Sequence, residues 1–131
     1  MTKPPEPPEG LMAVGPHEWM RVWVRVRAAQ SVKLVGAMAA YFADYNDGAN
    51  IHPGNVVLSA ICGEMSTRAV INALAQIREW ELMWRYCQGS KQGRRAMSDV
   101  YRLTIPKDIL DRVPMLDPAY RVPSQPVDNP P

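Results

Sequence analysis

Two clusters of side chains in this sequence are suited to chemistry, and both suit contact with a polyanion. The first is Ser66-Thr67-Arg68, followed at helical spacing by Ile71, Asn72 and Gln76. A serine hydroxyl at a helix start accepts from a free amide of the first turn. That end of the helix presents positive partial charge, here beside a guanidinium. The second is Gln88-Gly89-Ser90-Lys91-Gln92-Gly93-Arg94-Arg95, a glycine-punctuated turn with three cations, preceded by Arg85. Segment 85–102 holds five basic residues against one acid, Asp99, a balance of +4. The plainer alternatives are a solvated loop for this turn and a solvated helix face for Arg68 and Asn72.

The charge acquires meaning when divided. Residues 17–112 carry 13 basic and 9 acidic side chains, again +4, so the whole excess of that region sits in 85–102. A concentrated basic segment points to a polyanion more strongly than a high average does. Enzyme chemistry finds little here. The sequence has no phosphate-cradling glycine motif, no Cys–His pair at an interpretable spacing and no carboxylate cluster, so no catalytic residue and no cofactor is expected. Asp44, Asn46-Asp47-Gly48 and Asn50 invite a calcium reading. Their spacing does not alternate as a calcium loop requires and no closing glutamate follows, so they read as a plain turn.

The elements that must position the two clusters follow from punctuation and periodicity. Eleven of the thirteen prolines fall in 1–16 and 113–131. Both segments are expected to be disordered proline-rich arms, because so little apolar surface cannot offset chain entropy. One domain, 17–112, remains between them. Stretch 17–29 is ambiguous: Trp19, Trp23 and Val26 suit a helix, while Val22, Val24 and Val26 alternate as in a strand; Pro16 tilts the choice to helix. Residues 31–45 predict a helix capped by Ser31, with Leu34, Val35, Met38, Tyr41 and Phe42 as its apolar stripe. A second, near 54–62, is expected to start at Pro53 and to carry Val56, Val57, Ile61 and Cys62 as its apolar residues. After a break at Gly63-Glu64-Met65, a third helix capped by Ser66 buries Val70, Ala73, Leu74 and Ile77 and runs out near Trp80. Leu82–Cys87 and Val100–Ile105 predict a hairpin around the basic turn. Pro106 ends it, and one helical turn over Lys107–Arg112 follows.

Other features take ordinary roles. The four tryptophans, Trp19, Trp23, Trp80 and Trp84, are expected in the core rather than as a base-stacking platform. Arg21, Arg25 and Arg27 are expected on a solvated face. Cys62 and Cys87 are expected as buried, reduced, small apolar residues. No run of 18 apolar residues exists and the first residues, MTKPPEPPEG, do not resemble a signal peptide. A cytoplasmic protein without membrane partners is therefore the expectation.

The order helix, helix, tight turn, helix, basic hairpin is the pattern of a winged helix-turn-helix, mainly α with a small β-hairpin. The run from Lys33 (KLVGAMAAYFADYNDG), through IHPGNVVLSAICGEMSTRAVINALAQIREWELMWRY, to GRRAMSDVYRLTIP resembles the helix-turn-helix domains of actinobacterial mobile-element and phage proteins. Related domains open some plasmid replication initiators. Two departures stand out: Glu64 and Met65 both lie between Gly63 and Ser66, and Glu81 stands where such domains place a glycine. The resemblance implies sequence-specific binding of double-stranded DNA. Ser66, Thr67, Arg68, Ile71, Asn72 and Gln76 would lie on the recognition helix, with Arg85, Lys91, Arg94 and Arg95 on the wing. The role implied is regulatory or accessory on a mobile element or phage, with plasmid-type replication initiation or a protein-docking module as alternatives. A second copy of the chain or another protein is left open as a further partner.

Overall fold

A computed structural model describes residues 3–89, 98–117 and 119. Helices dominate: α1 (Pro16–Trp23), α2 (Gln30–Tyr41), α3 (Asn55–Ile61), α4 (Thr67–Glu79) and the short α5 (Ile109–Arg112). They pack on a three-stranded antiparallel sheet of β1 (Leu11–Ala13), β2 (Met83–Cys87) and β3 (Val100–Pro106), in the order β1-β3-β2. No described helix is long and apolar enough to cross a membrane.

The ambiguous stretch after Pro16 is helical as far as Trp23, because Trp19 and Trp23 lie one turn apart and both reach the core, but residues 24–29, with Val26, lie beyond the helix. Both are buried and their rings stack with centroids 4.9 Å apart. Each indole N–H also finds a carbonyl, as a buried indole must. Trp19 Nε1 donates to the Leu82 oxygen at 2.7 Å and Trp23 Nε1 to the Lys33 oxygen at 3.0 Å. Lys33 answers by donating Nζ to the Trp23 and Val26 carbonyls at the end of α1, with its ammonium 4.8 Å from the Trp23 ring centroid. Burial holds the pKa of this amine below the ordinary lysine value. Of the alternating valines, only Val26 keeps a strand-like role, bridging Met115. Trp80 packs half-buried against the core, and Trp84 is half-buried beside Tyr86.

The apolar face of α2 differs from expectation. Val35, Gly36, Ala39 and Ala40 are buried, whereas Leu34 is exposed and Tyr41 is 81% exposed. The face is set by Trp23, whose ring lies so close that a Cβ on Gly36 would stand 2.4 Å from it. Ser31 does not cap; Ala29 occupies that position without a side-chain hydrogen bond, and the helix ends at Tyr41. On α3 the inward residues are Leu58 and Cys62, while Val56, Val57 and Ile61 face solvent. Pro53 stands outside the helix, whose N-cap is Gly54. Cys62 is buried as expected but Cys87 is exposed, and both thiols are free. In the loop between α2 and α3, Asn50 Nδ2 donates to Asp44 Oδ2 at 2.6 Å and Asp47 Oδ1 accepts from the Ala49 amide. Gly48 is left-handed there, at a point where a Cβ would lie 2.0 Å from the Val14 carbonyl oxygen.

Both arm boundaries move outward. Leu11, Met12 and Ala13 pair with Pro106, Ile105 and Thr104, and Val14 is buried. Further out, Arg102 donates to the Pro5 oxygen at 2.7 Å. Beyond residue 112, Val113 is buried, the Leu116 amide donates to the Arg25 oxygen at 2.8 Å, and Arg25 itself reaches the Asp117 oxygen. Apolar residues scattered among the prolines make these contacts; averaging composition over each arm hides them. Of the remainder of the second arm, 118 and 120–131 lie outside the described residues.

The Trp23–Gly36 contact yields a test of opposing effects. Helix propensity alone favours Gly36→Ala by about 1 kcal/mol. The clash with Trp23 dominates, as overpacking of a filled core costs about 1–3 kcal/mol or more. A Cβ 2.4 Å from a packed ring puts the cost near the upper end, about 3 kcal/mol, so Gly36→Ala is expected to lower stability by about 2 kcal/mol net. In thermal unfolding of a domain this size that is a fall of roughly 8–16 °C, and a rise in midpoint would disprove the packing account.

Candidate nucleic-acid interface

The first cluster is built by α3, a tight turn and α4. The turn from Cys62 to Met65 needs two successive left-handed residues, Gly63 (φ 75°) and Glu64 (φ 61°). It is closed by the Met65 amide donating to the Ser59 oxygen at 3.1 Å, while Ser59 Oγ donates to the Met65 oxygen. The additional residue between Gly63 and Ser66 is thus absorbed in the turn, and Met65 packs against the core. Ser66 then caps α4: its Oγ accepts from the Ala69 amide at 3.1 Å.

The heptad-like spacing in α4 sorts its faces as the sequence predicts. Val70, Ala73, Leu74 and Ile77 are buried, and the helix packs against α2 and α3. Thr67, Arg68, Ile71 and Asn72 are exposed on the opposite face; Gln76, two turns in, is half-buried. Ser66 is exposed, but its hydroxyl is engaged in the cap. Among the described residues Arg68 makes no ion pair, so its guanidinium is available to an incoming group. At the other end Glu81 is left-handed (φ 61°), the conformation for which glycine is the usual choice. Glu81 also pairs with Arg112 of α5 at 3.7 Å.

The second cluster is divided. Lys91, Arg94 and Arg95 lie outside the described residues. Arg85 lies on β2 and is not free: its Nη1 meets Asp99 Oδ2 at 3.2 Å. The same carboxylate accepts from the Gly89 amide at 2.6 Å and from the Tyr101 hydroxyl at 3.3 Å. Tyr101 in turn accepts from Arg78, on the last turn of α4, at 3.3 Å. This chain of groups ties the end of α4 to the base of the hairpin. The sequence assigns no site role to Arg78, Asp99 or Tyr101, although Asp99 and Tyr101 fall in the run that carries the resemblance and Asp99 is the lone acid in a basic segment.

Between α3, the first half of α4 and the hairpin base lies a cavity of about 440 Å³, bordered by Asn55, Val56, Thr67, Ile71, Asp99 and Tyr101. Its rim includes two of the exposed residues of α4. Val56, Val57 and Ile61 add exposed apolar surface on α3. No group of histidine, cysteine or carboxylate side chains that could hold a metal occurs among the described residues.

Burial pushes the Asp99 carboxyl up, but the Gly89 amide, the Arg85 guanidinium and the Tyr101 hydroxyl outweigh it, and the pKa lies below the ordinary aspartate value. A folded-state pKa below the unfolded value stabilises the fold above the unfolded pKa of about 3.9. That contribution is lost as pH falls through the lower folded value. Asp99→Asn is accordingly expected to cost about 1 kcal/mol at pH 7. The difference from the native chain should shrink below about pH 4. Urea titrations of both chains at pH 7 and pH 2.5 measure this; an undiminished difference at low pH would exclude the carboxylate as its source.

Comparison of the chain with models of known protein families, with curated proteins and with solved structures gives no match to any of them.

Proposed function

We propose that the chain binds double-stranded DNA as a winged helix-turn-helix, with α4 in the major groove and the β2–β3 hairpin as the wing. The observation that carries this reading is the split of α4. One face is locked into the core, while a capped N-terminal half offers Thr67, Arg68, Ile71 and Asn72 outward. The major groove admits one helix, and side chains near its N-terminus reach base edges. Arg68 suits a guanine edge, Asn72 an adenine edge and Ile71 a thymine methyl group. Lys91, Arg94 and Arg95 suit backbone phosphates, which position a protein without reading sequence. Arg85, held by Asp99, serves the wing from within by fixing its base. The biological setting that fits best is a regulator or accessory factor of a mobile element or phage, with plasmid-type replication initiation as the variant of the same activity.

A second reading has one specific support. Val56, Val57 and Ile61 are exposed beside Ile71, with Val56 75% exposed, and such a patch also suits a protein partner. The two readings part on salt. Three cations on phosphates (Lys91, Arg94 and Arg95) give log K against log[salt] a slope of about −2.7, at ~0.9 per phosphate.

Arg68→Ala is expected to cost ~1–3 kcal/mol on a selected duplex and to relax its preference. Replacing Arg94 and Arg95 together should weaken selected and scrambled duplexes alike and flatten the slope by about two. Fluorescence anisotropy on both duplexes at several salt concentrations checks this. Failure to retain any duplex at low salt would overturn DNA binding in favour of a protein partner.

A further inference from the structure

The outer face of the hairpin carries a different kind of site. Along residues 4–9 the half-buried positions, Pro4 and Pro7, are three apart, while Pro5, Glu6, Pro8 and Glu9 are exposed; Gly10 (φ 92°) then ends the segment in a turn that the Leu11 amide closes on the Pro8 oxygen. Three residues per turn is the repeat of a polyproline II helix, which has no internal hydrogen bonds and leaves its carbonyls for an outside donor. Here that donor is Arg102, itself only 6% exposed, whose Nη1 donates to the Pro5 oxygen at 2.7 Å while its Nε holds the Asp47 oxygen at 3.2 Å. The guanidinium also lies 4.0 Å from the Glu6 carboxylate. Directly opposite Arg102 in the ladder stands Trp84, whose ring lies 5.4 Å from that of Tyr86. Trp84 borders a cavity of about 310 Å³, and Pro8, Glu9 and Leu11 of the arm form part of its other wall. An aromatic surface, a fixed donor to a proline-segment carbonyl and a period-three ligand are the parts by which proline-rich peptides are recognised.

We propose that the Trp84–Arg102 face is a docking site for an acidic proline-rich segment of another protein, of the pattern Pro-Pro-Glu-Pro-Pro, and that residues 4–8 are its resident occupant in cis. The acidic residue is specified by the Arg102–Glu6 approach, and the proline pattern by the period of burial. Tethering through β1 gives the resident arm an effective concentration in the millimolar range, so a partner must fit better than the arm or be held close by. The cavity meets α4 only at Arg78 on its last turn, and none of the outward residues Thr67, Arg68, Ile71 and Asn72 borders it, so its occupancy does not depend on whether the chain binds DNA.

The probe is a synthetic peptide of residues 3–10, followed by the Trp84 indole N–H resonance, which Trp84→Phe assigns. The receiving proteins are the native chain and a full-length variant with Pro4→Ser, Pro5→Ser, Pro7→Ser and Pro8→Ser, which keeps the Leu11–Ala13 ladder. The variant is expected to bind the peptide saturably, and the native chain about tenfold more weakly or worse because its own arm competes. A peptide with its four prolines changed to alanine should bind either protein at least about tenfold more weakly, since it lacks the preformed polyproline conformation. Should the variant fail to fold, the native chain decides alone. A saturable Trp84 shift with the proline peptide and not the alanine peptide supports the site. No shift up to about 10 mM, above the effective concentration of the arm, overturns it. Equal response to both peptides also overturns it, and dimerisation of the variant without peptide would assign the face to a second copy instead.

Discussion

Between Tyr101 and Thr104, β3 has hydrogen-bonded neighbours along both edges, and most of the molecule is arranged to supply them. β2 lies along one edge. The other is shared among three separate pieces of chain: Ile51 exchanges amide and carbonyl with Tyr101, Gly48 accepts from the Leu103 amide, and β1 takes over from Thr104 to Pro106. A buried strand cannot leave such groups unpaired without losing roughly 1–3 kcal/mol at each. The loop after α2 must therefore come close to the sheet, which is why Gly48 has to be a glycine. The first arm must do the same, which is why residues that compose like a tail behave as a strand.

That constraint reaches α4 by two routes. Leu82, just ahead of β2, donates its amide to the Ile77 oxygen of α4 and accepts from the Trp19 indole and the Thr104 amide, so one residue joins α4, α1 and β3. At the far end, Asp99 gathers Arg85, Gly89 and Tyr101, and Tyr101 holds Arg78 of α4. The exposed face of α4 is presented by a helix fixed at its cap, along its buried stripe and at its last turn. Preorganisation of this kind lowers the ordering cost of any partner that meets the face.

How much of this the sequence discloses depends on the range of the interaction. The cap at Ser66, the buried stripe from Val70 to Ile77, the C-terminal stop at Trp80 and each of the two hairpin strands taken singly are set by residues within a few positions of one another, and they read correctly. The face of α2 does not, because Trp23 on another helix selects Gly36, Ala39 and Ala40 over the larger side chains nearby. The pairing of Arg85 depends on Asp99, fourteen residues away across a turn. The arms fail for a related reason: a proline count describes a segment's average, whereas Val14, Val113 and Met115 act singly. Glu64 and Glu81 lie between these cases, since departures from the expected turn length and glycine mark the places where the backbone is left-handed.

The placement of β1 also orders events in time. Its partner is more than ninety positions later in the chain, and the Val26–Met115 bridge and the Arg25–Asp117 contact span a similar distance. During synthesis the helices can assemble as they emerge, since their mutual contacts are closer in sequence. The first strand has nothing to pair with until β3 has left the ribosome. Until then Leu11, Met12 and Val14 remain on an unpaired strand, the condition in which nascent chains are most open to chaperones and to wrong partners. Closure of the N-terminal segment onto β3 is then a late step, slowed by its high contact order.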